Sequence, residues 1–115
     1  MRRKPVLLLT PLLAAFAFAS PAAASPGASC SATPTPIYAN ATGTLHAAGL
    51  ATTGTEVLET LFYYNGQLAT YGDQAITVNP DGTWTGQFFP YETGKYTWNF
   101  ENNGVAEATC SDRVK

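Results

Sequence analysis

The segment at residues 95–101 alternates polar and apolar side chains more cleanly than any other part of the chain. Tyr96, Trp98 and Phe100 stand between lysine, threonine, asparagine and glutamate. A period of two places the two sets of side chains on opposite faces of a β-strand, whereas a helix would mix them. The segment therefore predicts a strand that buries an aromatic face and leaves a polar face in solvent.

Turn signals divide the remaining sequence into further short strands. Asn65-Gly66 and Asn103-Gly104 each separate two apolar runs, and such pairs favour two-residue hairpins because both turn positions need positive φ. Asn79-Pro80-Asp81-Gly82 indicates another turn. The strands predicted between the turns cover 43–49, 57–64, 67–71, 76–78, 84–89, 95–101 and 105–110. About seven strands without a helix predict an all-β, antiparallel sandwich rather than alternating strands and helices.

The two ends of the predicted domain are less regular. Residues 25–36 are rich in serine, proline and alanine and are interpreted as an extended lead-in or edge strand, with 37–39 as a first paired segment. In the last strand, alternation predicts that Ala106, Ala108 and Cys110 share one face.

Residues 1–24 have the order of a secretory signal peptide. A basic start at 1–4 is followed by an apolar run to Ala19 and by the small residues Ala22-Ala23-Ala24. We therefore predict a signal peptide at 1–24, one domain at 25–115, and a secreted, extracellular product. The alternatives are cleavage after Ala19, twin-arginine export, a lipoprotein acylated at Cys30, and an uncleaved membrane anchor.

Removal of the signal peptide would leave an acidic chain. Lys95, Arg113 and Lys115 remain against eight carboxylates, and three minus eight gives a formal net charge of −5. Phosphate backbones are bound mainly by lysine and arginine, so this balance argues against a nucleic-acid partner. It argues equally against association with an anionic membrane after cleavage.

Cys30 and Cys110 lie near opposite ends of the predicted domain. Export places them in an oxidising compartment, and a domain of this size gains from a covalent link. We predict a Cys30–Cys110 disulfide in preference to a free thiol or a metal role, because two cysteines and a distant His46 do not form a zinc site.

Three stretches, in order, resemble bacterial immunoglobulin-like domains of secreted and cell-surface proteins. They are GLATTGTEV at 49–57, NPDGTWTGQF at 79–88 and ETGKYTW at 92–98. The resemblance implies an immunoglobulin-like β-sandwich with Tyr96, Trp98 and Trp84 in its core, and with Gly94 in a tight turn before Tyr96. Trp98 stands where vertebrate domains carry a cysteine between the sheets. The Cys30–Cys110 bridge departs from that pattern, since it would tie the first strand to the last along one edge rather than sheet to sheet.

The sequence offers little for catalysis or metal binding. His46 is the only histidine, and alternation places it in solvent on a strand with no nearby acid. Glu56 and Glu59 lie three residues apart and are interpreted as solvated charges on opposite strand faces. Three aspartates predicted in loops or at a strand end could hold calcium, but their spacing matches neither an Asp-x-Asp nor an EF-hand pattern; they are Asp73, Asp81 and Asp112. We predict no catalytic residues, no metal and no cofactor.

Several aromatic residues are expected at the surface. Neighbouring rings such as Tyr63 and Tyr64 cannot both face the core of a strand. The residues predicted to form an exposed aromatic patch are Tyr63, Tyr64, Tyr71, Phe89 and Tyr91. Such a patch can bind sugar rings, peptides or proteins, the alternative being that these rings cover loops or are scattered singly.

The prediction for function is a non-enzymatic extracellular module that binds a protein or a glycan. The alternative is a secreted inhibitor of an extracellular hydrolase, which would present a stiff loop such as 90–92 or 101–104.

Overall fold

The computed structural model describes residues 27–115, and within that range the chain forms seven β-strands and no helix. The strands are β1 (Ser29–Thr33), β2 (Gly43–Ala48), β3 (Glu56–Tyr64), β4 (Gln67–Ile76), β5 (Trp84–Phe88), β6 (Gly94–Asn102) and β7 (Val105–Val114). None of the described elements is a helix long and apolar enough to cross a membrane. The predicted signal peptide at 1–24 lies outside the described residues and stays a prediction.

The strands form two antiparallel sheets that pack face to face. The smaller sheet has the order β1-β2-β5, and the larger has the order β4-β3-β6-β7. Apolar side chains from both inner faces fill the space between them, as Leu45 of the smaller sheet and Leu58 of the larger sheet do. The predicted all-β sandwich of about seven strands is therefore confirmed.

Trp98 lies at the centre of the core, where only 2% of its surface is exposed. Tyr96 stacks on it with ring centroids 5.3 Å apart, and Phe88 reaches it from the smaller sheet at 4.7 Å. Trp84 packs edge-on against Phe100 at 5.7 Å. Tyr96 and Trp84 are partly buried against the core, so all three predicted core aromatics contribute to it.

Both asparagine–glycine turns have the predicted geometry. Asn65 and Gly66 have φ of 52° and 77°, and Asn103 and Gly104 have 50° and 82°. These angles twist the chain in the sense that antiparallel strands require. Gly94, by contrast, has no positive φ and does not form the tight turn that the resemblance implied. It is glycine because a Cβ there would overlap the Phe62 ring and the backbone of β3.

The predicted disulfide joins Cys30 and Cys110, whose Cα atoms are 5.7 Å apart. It ties the first strand to the last, as expected, but the prediction that it does not run sheet to sheet was wrong. β1 belongs to the smaller sheet and β7 to the larger, so the bridge closes the sandwich along their common side. Cys110 stands opposite Trp98 on β6, which places the bridge directly beside the core tryptophan.

Three local predictions were wrong because pairing overrides local sequence. The lead-in does contain an edge strand, at 29–33, but the segment 37–39 is not the first paired one and makes only a single parallel bridge, from Ile37 to Val114. The chain from 67 to 76 is one strand paired with β3 along its length, not two. Ala106 does not share a face with Ala108, because a bulge in β7 places Glu107 without a partner between them.

Candidate binding site

The larger sheet has one face on the core and one in solvent, and the solvent face is called the outer face here. Because adjacent strands are in register, its side chains form four rows across the sheet. From one end to the other, the rows are Leu68–Tyr63–Lys95–Arg113, Tyr71–Leu61–Thr97–Ser111, Asp73–Glu59–Asn99–Thr109 and Ala75–Val57–Glu101–Ala106. Charge is therefore segregated along the face, with cations in the first row and carboxylates in the last two.

The cationic end of the outer face contains a shallow, open cleft of about 830 Å³. Lys95, Arg113 and Lys115, which are all the lysines and arginines of residues 27–115, line it together with the half-buried Tyr63. The hairpin turn at 65–66 and the start of β6 form its walls. Lys95 and Arg113 are direct partners on neighbouring strands, so their side chains leave the sheet side by side.

Three exposed aromatic rings lie on two segments that backbone hydrogen bonds connect to the cleft end of the sandwich, and we call Tyr38, Phe89 and Tyr91 the aromatic rim. Their side chains are 66%, 55% and 77% exposed. The rim is fixed by its backbone: Pro90 between two of the rings is fully buried, and its carbonyl accepts the Asn40 N–H at 2.7 Å. The Ala39 N–H in turn donates to the Lys115 carbonyl, at the edge of the cleft, at 2.9 Å.

The five predicted patch residues fall into two groups. Tyr63 lines the cleft, and Tyr64, Phe89 and Tyr91 are exposed at the same end of the sandwich. Tyr71 lies one row further along the outer face and donates its hydroxyl hydrogen to Asp73 Oδ2 at 2.9 Å. That hydrogen bond, with burial and nearby negative charge, raises the pKa of Tyr71 to about 12.

The opposite end of the outer face is acidic and internally bonded. Asn99 Nδ2 donates to Glu59 Oε1 at 2.6 Å, and Thr109 Oγ1 donates to Asn99 Oδ1 at 2.8 Å. Burial, together with the charges of Glu59 and Asp73, raises the pKa of Glu101. Glu59 is thus a half-buried member of a polar network rather than an isolated solvated charge.

A second titratable cluster lies inside the sandwich, at the end away from the cleft. Glu56 and Glu107 are 4% and 2% exposed, so the interpretation of Glu56 as a solvated charge was wrong. Asn102 Nδ2 donates to Glu56 Oε1 at 2.9 Å, and the Ala51 N–H donates to Glu107 Oε2 at 2.7 Å. The other two oxygens are buried without a donor, and a proton shared between the carboxyl groups gives both a partner. Burial, then the contact with Glu107, raises the pKa of Glu56 to about 7.

The remaining acids and the histidine lie apart from one another. Asp81 accepts hydrogen bonds from the backbone and hydroxyl of Thr83, which lower its pKa. Asp112 is buried on the inner face of β7, and Asp73 lies on the outer face. His46 is exposed on the smaller sheet, as predicted. Within residues 27–115, the structure brings together no three His, Cys, Asp or Glu side chains in an arrangement that could hold a metal ion.

Sequence reasoning identified exposed tyrosines but missed Tyr38 and the three clustered cations. Tyr38 was placed in a strand, whereas it projects from a turn closed by the Ala41 N–H donating to its carbonyl. The cations are separated along the chain by up to twenty positions, and only the register of β6 with β7 brings them together. Pairing the two strands on either side of Asn103-Gly104 residue by residue would have placed Lys95 opposite Arg113, but only with the one-residue bulge in β7 included.

Comparison with known proteins yields no matching family model and no matching curated protein. Among solved structures, the chain is similar to superoxide reductase (neelaredoxin) from Ignicoccus hospitalis, with a TM-score of 0.50, 14% identity, and coverage of 76% of this chain and 78% of that chain. It also matches a CARDB domain from Pyrococcus furiosus, with a TM-score of 0.40, 17% identity, and coverage of 76% and 89%. The first likeness shows a related β-sandwich fold and nothing about activity.

Proposed function

We propose that this chain is a secreted, non-enzymatic, immunoglobulin-like module that binds a protein or a glycan outside the cell through the cleft end of its larger sheet. The observation that carries the proposal is the meeting of Lys95, Arg113 and Lys115 with Tyr63 in one cleft. Aromatic and arginine side chains dominate binding energy at recognition surfaces, and both types are concentrated here.

The aromatic rim supports the same assignment. Large exposed apolar groups cost solubility, and several of them on hydrogen-bonded neighbouring segments favour a surface that is covered in use. Phe89 and Tyr91 cannot turn inward, because the buried Pro90 holds the loop between them. A loop that is already ordered loses little conformational entropy on binding.

The proposal of an extracellular, non-enzymatic protein has separate support. A disulfide that closes the sandwich is typical of proteins exposed to oxidising conditions. His46, the one histidine of the chain, stands between Ser31 and Thr85 on the smaller sheet. A hydrolytic site of the serine–histidine–acid type needs an acid to orient the imidazole, and these neighbours supply none.

The test is a binding screen followed by mapping. Oxidised protein would be applied to glycan and peptide arrays, and amide chemical shifts would be recorded with the strongest binder. We expect shifts around the cleft and the rim. Tyr91→Ser should weaken binding about fivefold or more, because the most exposed ring of the aromatic rim is replaced. The matched control is Val105→Ser, an exposed apolar residue at the other end, which should leave affinity unchanged. Shifts confined to the smaller sheet would contradict the proposal.

A second candidate function is inhibition of an extracellular hydrolase. It is favoured by the rim loop alone, because Tyr91 projects beside a buried proline, whereas 103–104 is a tight two-residue turn that presents little to an enzyme. Inhibition assays against secreted proteases and glycosidases would test it. Tyr91→Ser should then abolish inhibition, and the absence of inhibition across such a panel would exclude this candidate in favour of the binding module.

A further inference from the structure

We propose that the cleft binds an acidic polysaccharide, with Lys95 and Arg113 pairing to a sugar carboxylate while Tyr63 and the aromatic rim contact sugar rings. This inference rests on the proposed function and narrows it to one class of ligand. It follows from the charges in the cleft, from the distance to the acidic end, and from the backbone groups that are already paired around the cleft.

The pairing of Lys95 with Arg113 is unfavourable in the free protein. Two like charges placed directly opposite each other on neighbouring strands repel. Lys115 adds a third positive side chain at the same cleft, and no Asp or Glu side chain lines the cleft. An anion between the two strands would relieve this repulsion, and the planar guanidinium of Arg113 presents two parallel donors that match a carboxylate.

The acidic rows of the outer face are too distant to neutralise the cleft. The nearest acidic row of the outer face lies four residues along the strands from the Lys95 row. At strand spacing this is roughly 13 Å, which exceeds the screening length of about 8 Å at physiological salt. Asp112 is buried on the other face of β7, and Glu92 lies in the rim loop. The charged side chains that line the cleft are thus all cations, although the whole chain is acidic.

The geometry favours a sugar chain over an acidic peptide. A peptide commonly binds by adding a strand to a free sheet edge. On the β7 side of the cleft, where Arg113 and Lys115 lie, that edge is occupied, because the Ile37 N–H donates to the Arg113 carbonyl at 3.0 Å and the Lys115 N–H donates to the Ile37 carbonyl at 2.8 Å. Recognition on this side therefore goes through side chains, and the exposed rings of the rim offer flat apolar surfaces for the C–H faces of sugars.

The experiment measures binding of an oligogalacturonate and of the same oligosaccharide after reduction of its carboxyl groups. The full oxidised protein would be titrated calorimetrically with each. The acidic oligosaccharide should bind, affinity should fall as sodium chloride is raised, and the reduced oligosaccharide should bind at least about tenfold more weakly. Lys95→Gln with Arg113→Gln should lower affinity about fivefold to thirtyfold, the effect of losing two exposed ion pairs.

The matched control is the double variant S31E/T85E, which lowers net charge by the same two units on the smaller sheet. Its affinity should remain within about twofold of the wild type, since the added charges lie beside the exposed His46 on the smaller sheet, whereas the cleft belongs to the larger sheet. Melting temperatures of all variants would be compared, and Lys95→Gln alone provides a milder test should the double variant be unstable.

Three results would overturn the inference. Equal affinity for the acidic and the reduced oligosaccharide would show that the carboxylate is not recognised, yet would leave the binding module intact. Tighter binding of a polyglutamate peptide than of the oligogalacturonate would assign the cleft to acidic peptides instead. Equal loss of affinity in S31E/T85E would show that net charge alone governs binding. Failure of the proposed function is distinct: no glycan or peptide would then shift the amide signals of the cleft.

Discussion

Replacing Glu56 with glutamine should remove most of the pH dependence of folding stability. Glu56 is 4% exposed and faces Glu107, and its pKa is raised from 4.5 to about 7 by burial and then by the contact with Glu107. Each unit of pKa shift corresponds to about 1.4 kcal/mol, so the wild type carries about 3 kcal/mol of pH-dependent stability from this group. Because the folded pKa is the higher one, this stability is complete below about pH 4.5 and is lost as pH rises through about 7.

Glutamine reproduces the protonated carboxyl group at this position. Its carbonyl can keep the hydrogen bond from Asn102, and its amide can donate to the Glu107 oxygen that otherwise has no donor. The variant should therefore retain at alkaline pH the stability that the wild type has only at acid pH. Glu101, whose pKa is also raised, leaves a smaller slope of the same sign in both proteins.

The assay is urea denaturation at a series of pH values from about 4 to about 9, monitored by tryptophan fluorescence. The wild type should lose about 3 kcal/mol of unfolding free energy across this range, and Glu56→Gln should lose much less. Glu92→Gln removes the same charge from an exposed loop and should keep the wild-type slope. A wild-type stability that does not change with pH, or an equal slope in Glu56→Gln, would refute the shared proton.

Further substitutions test the packing. Gly94→Ala should lower the free energy of unfolding by about 1–3 kcal/mol, because the new methyl group overlaps the backbone of β3. Gly72→Ala, where a methyl group meets open space, should change it by less than about 1 kcal/mol, so equal melting temperatures of the two variants would contradict this reasoning. Replacing Cys30 and Cys110 by alanine should cost about 4–5 kcal/mol on the loop-entropy model, since 80 residues separate them; an unchanged urea midpoint would argue against that contribution. Trp98→Ala should cost about 3–5 kcal/mol by calorimetry, and a loss below about 1 kcal/mol would remove this ring from the centre of the core.

The residue types at the hairpin turns were sufficient to predict those turns from sequence. Asparagine followed by glycine at 65–66 and 103–104 is sufficient to specify a two-residue hairpin, because few other residues accept positive φ twice in succession. The alternation at 95–101 likewise predicted a strand with a buried aromatic face, since a period of two has no other regular solution. These features depend only on neighbours in sequence.

Features that depend on distant pairing were not predictable in this way. Gly72 looks like a break between two strands, yet the chain continues extended through it because β3 offers partners along the full length of β4. Glu56 looks like a surface charge, yet the pairing of β3 places it inside the sandwich beside Glu107, fifty-one positions away, where burial raises its pKa. The exposed tyrosines were predicted by residue type, whereas the cluster of Lys95 with Arg113 required the exact register of a hairpin.

The register of β6 with β7 depends on one residue, Glu107, which has no partner in the bulge of β7. If pairing continued from Asn102 opposite Val105 without the bulge, Lys95 would stand opposite Asp112 and would be neutralised by it. Cys110 would then point away from Cys30, and Arg113 would point into the sandwich. The bulge thus sets which residues of β7 face the core and which face solvent. It therefore decides both whether the disulfide can form and which charge the proposed ligand surface carries. A relative or an engineered variant that lengthens or shortens this hairpin can retain the two properties only by adding or removing residues in pairs.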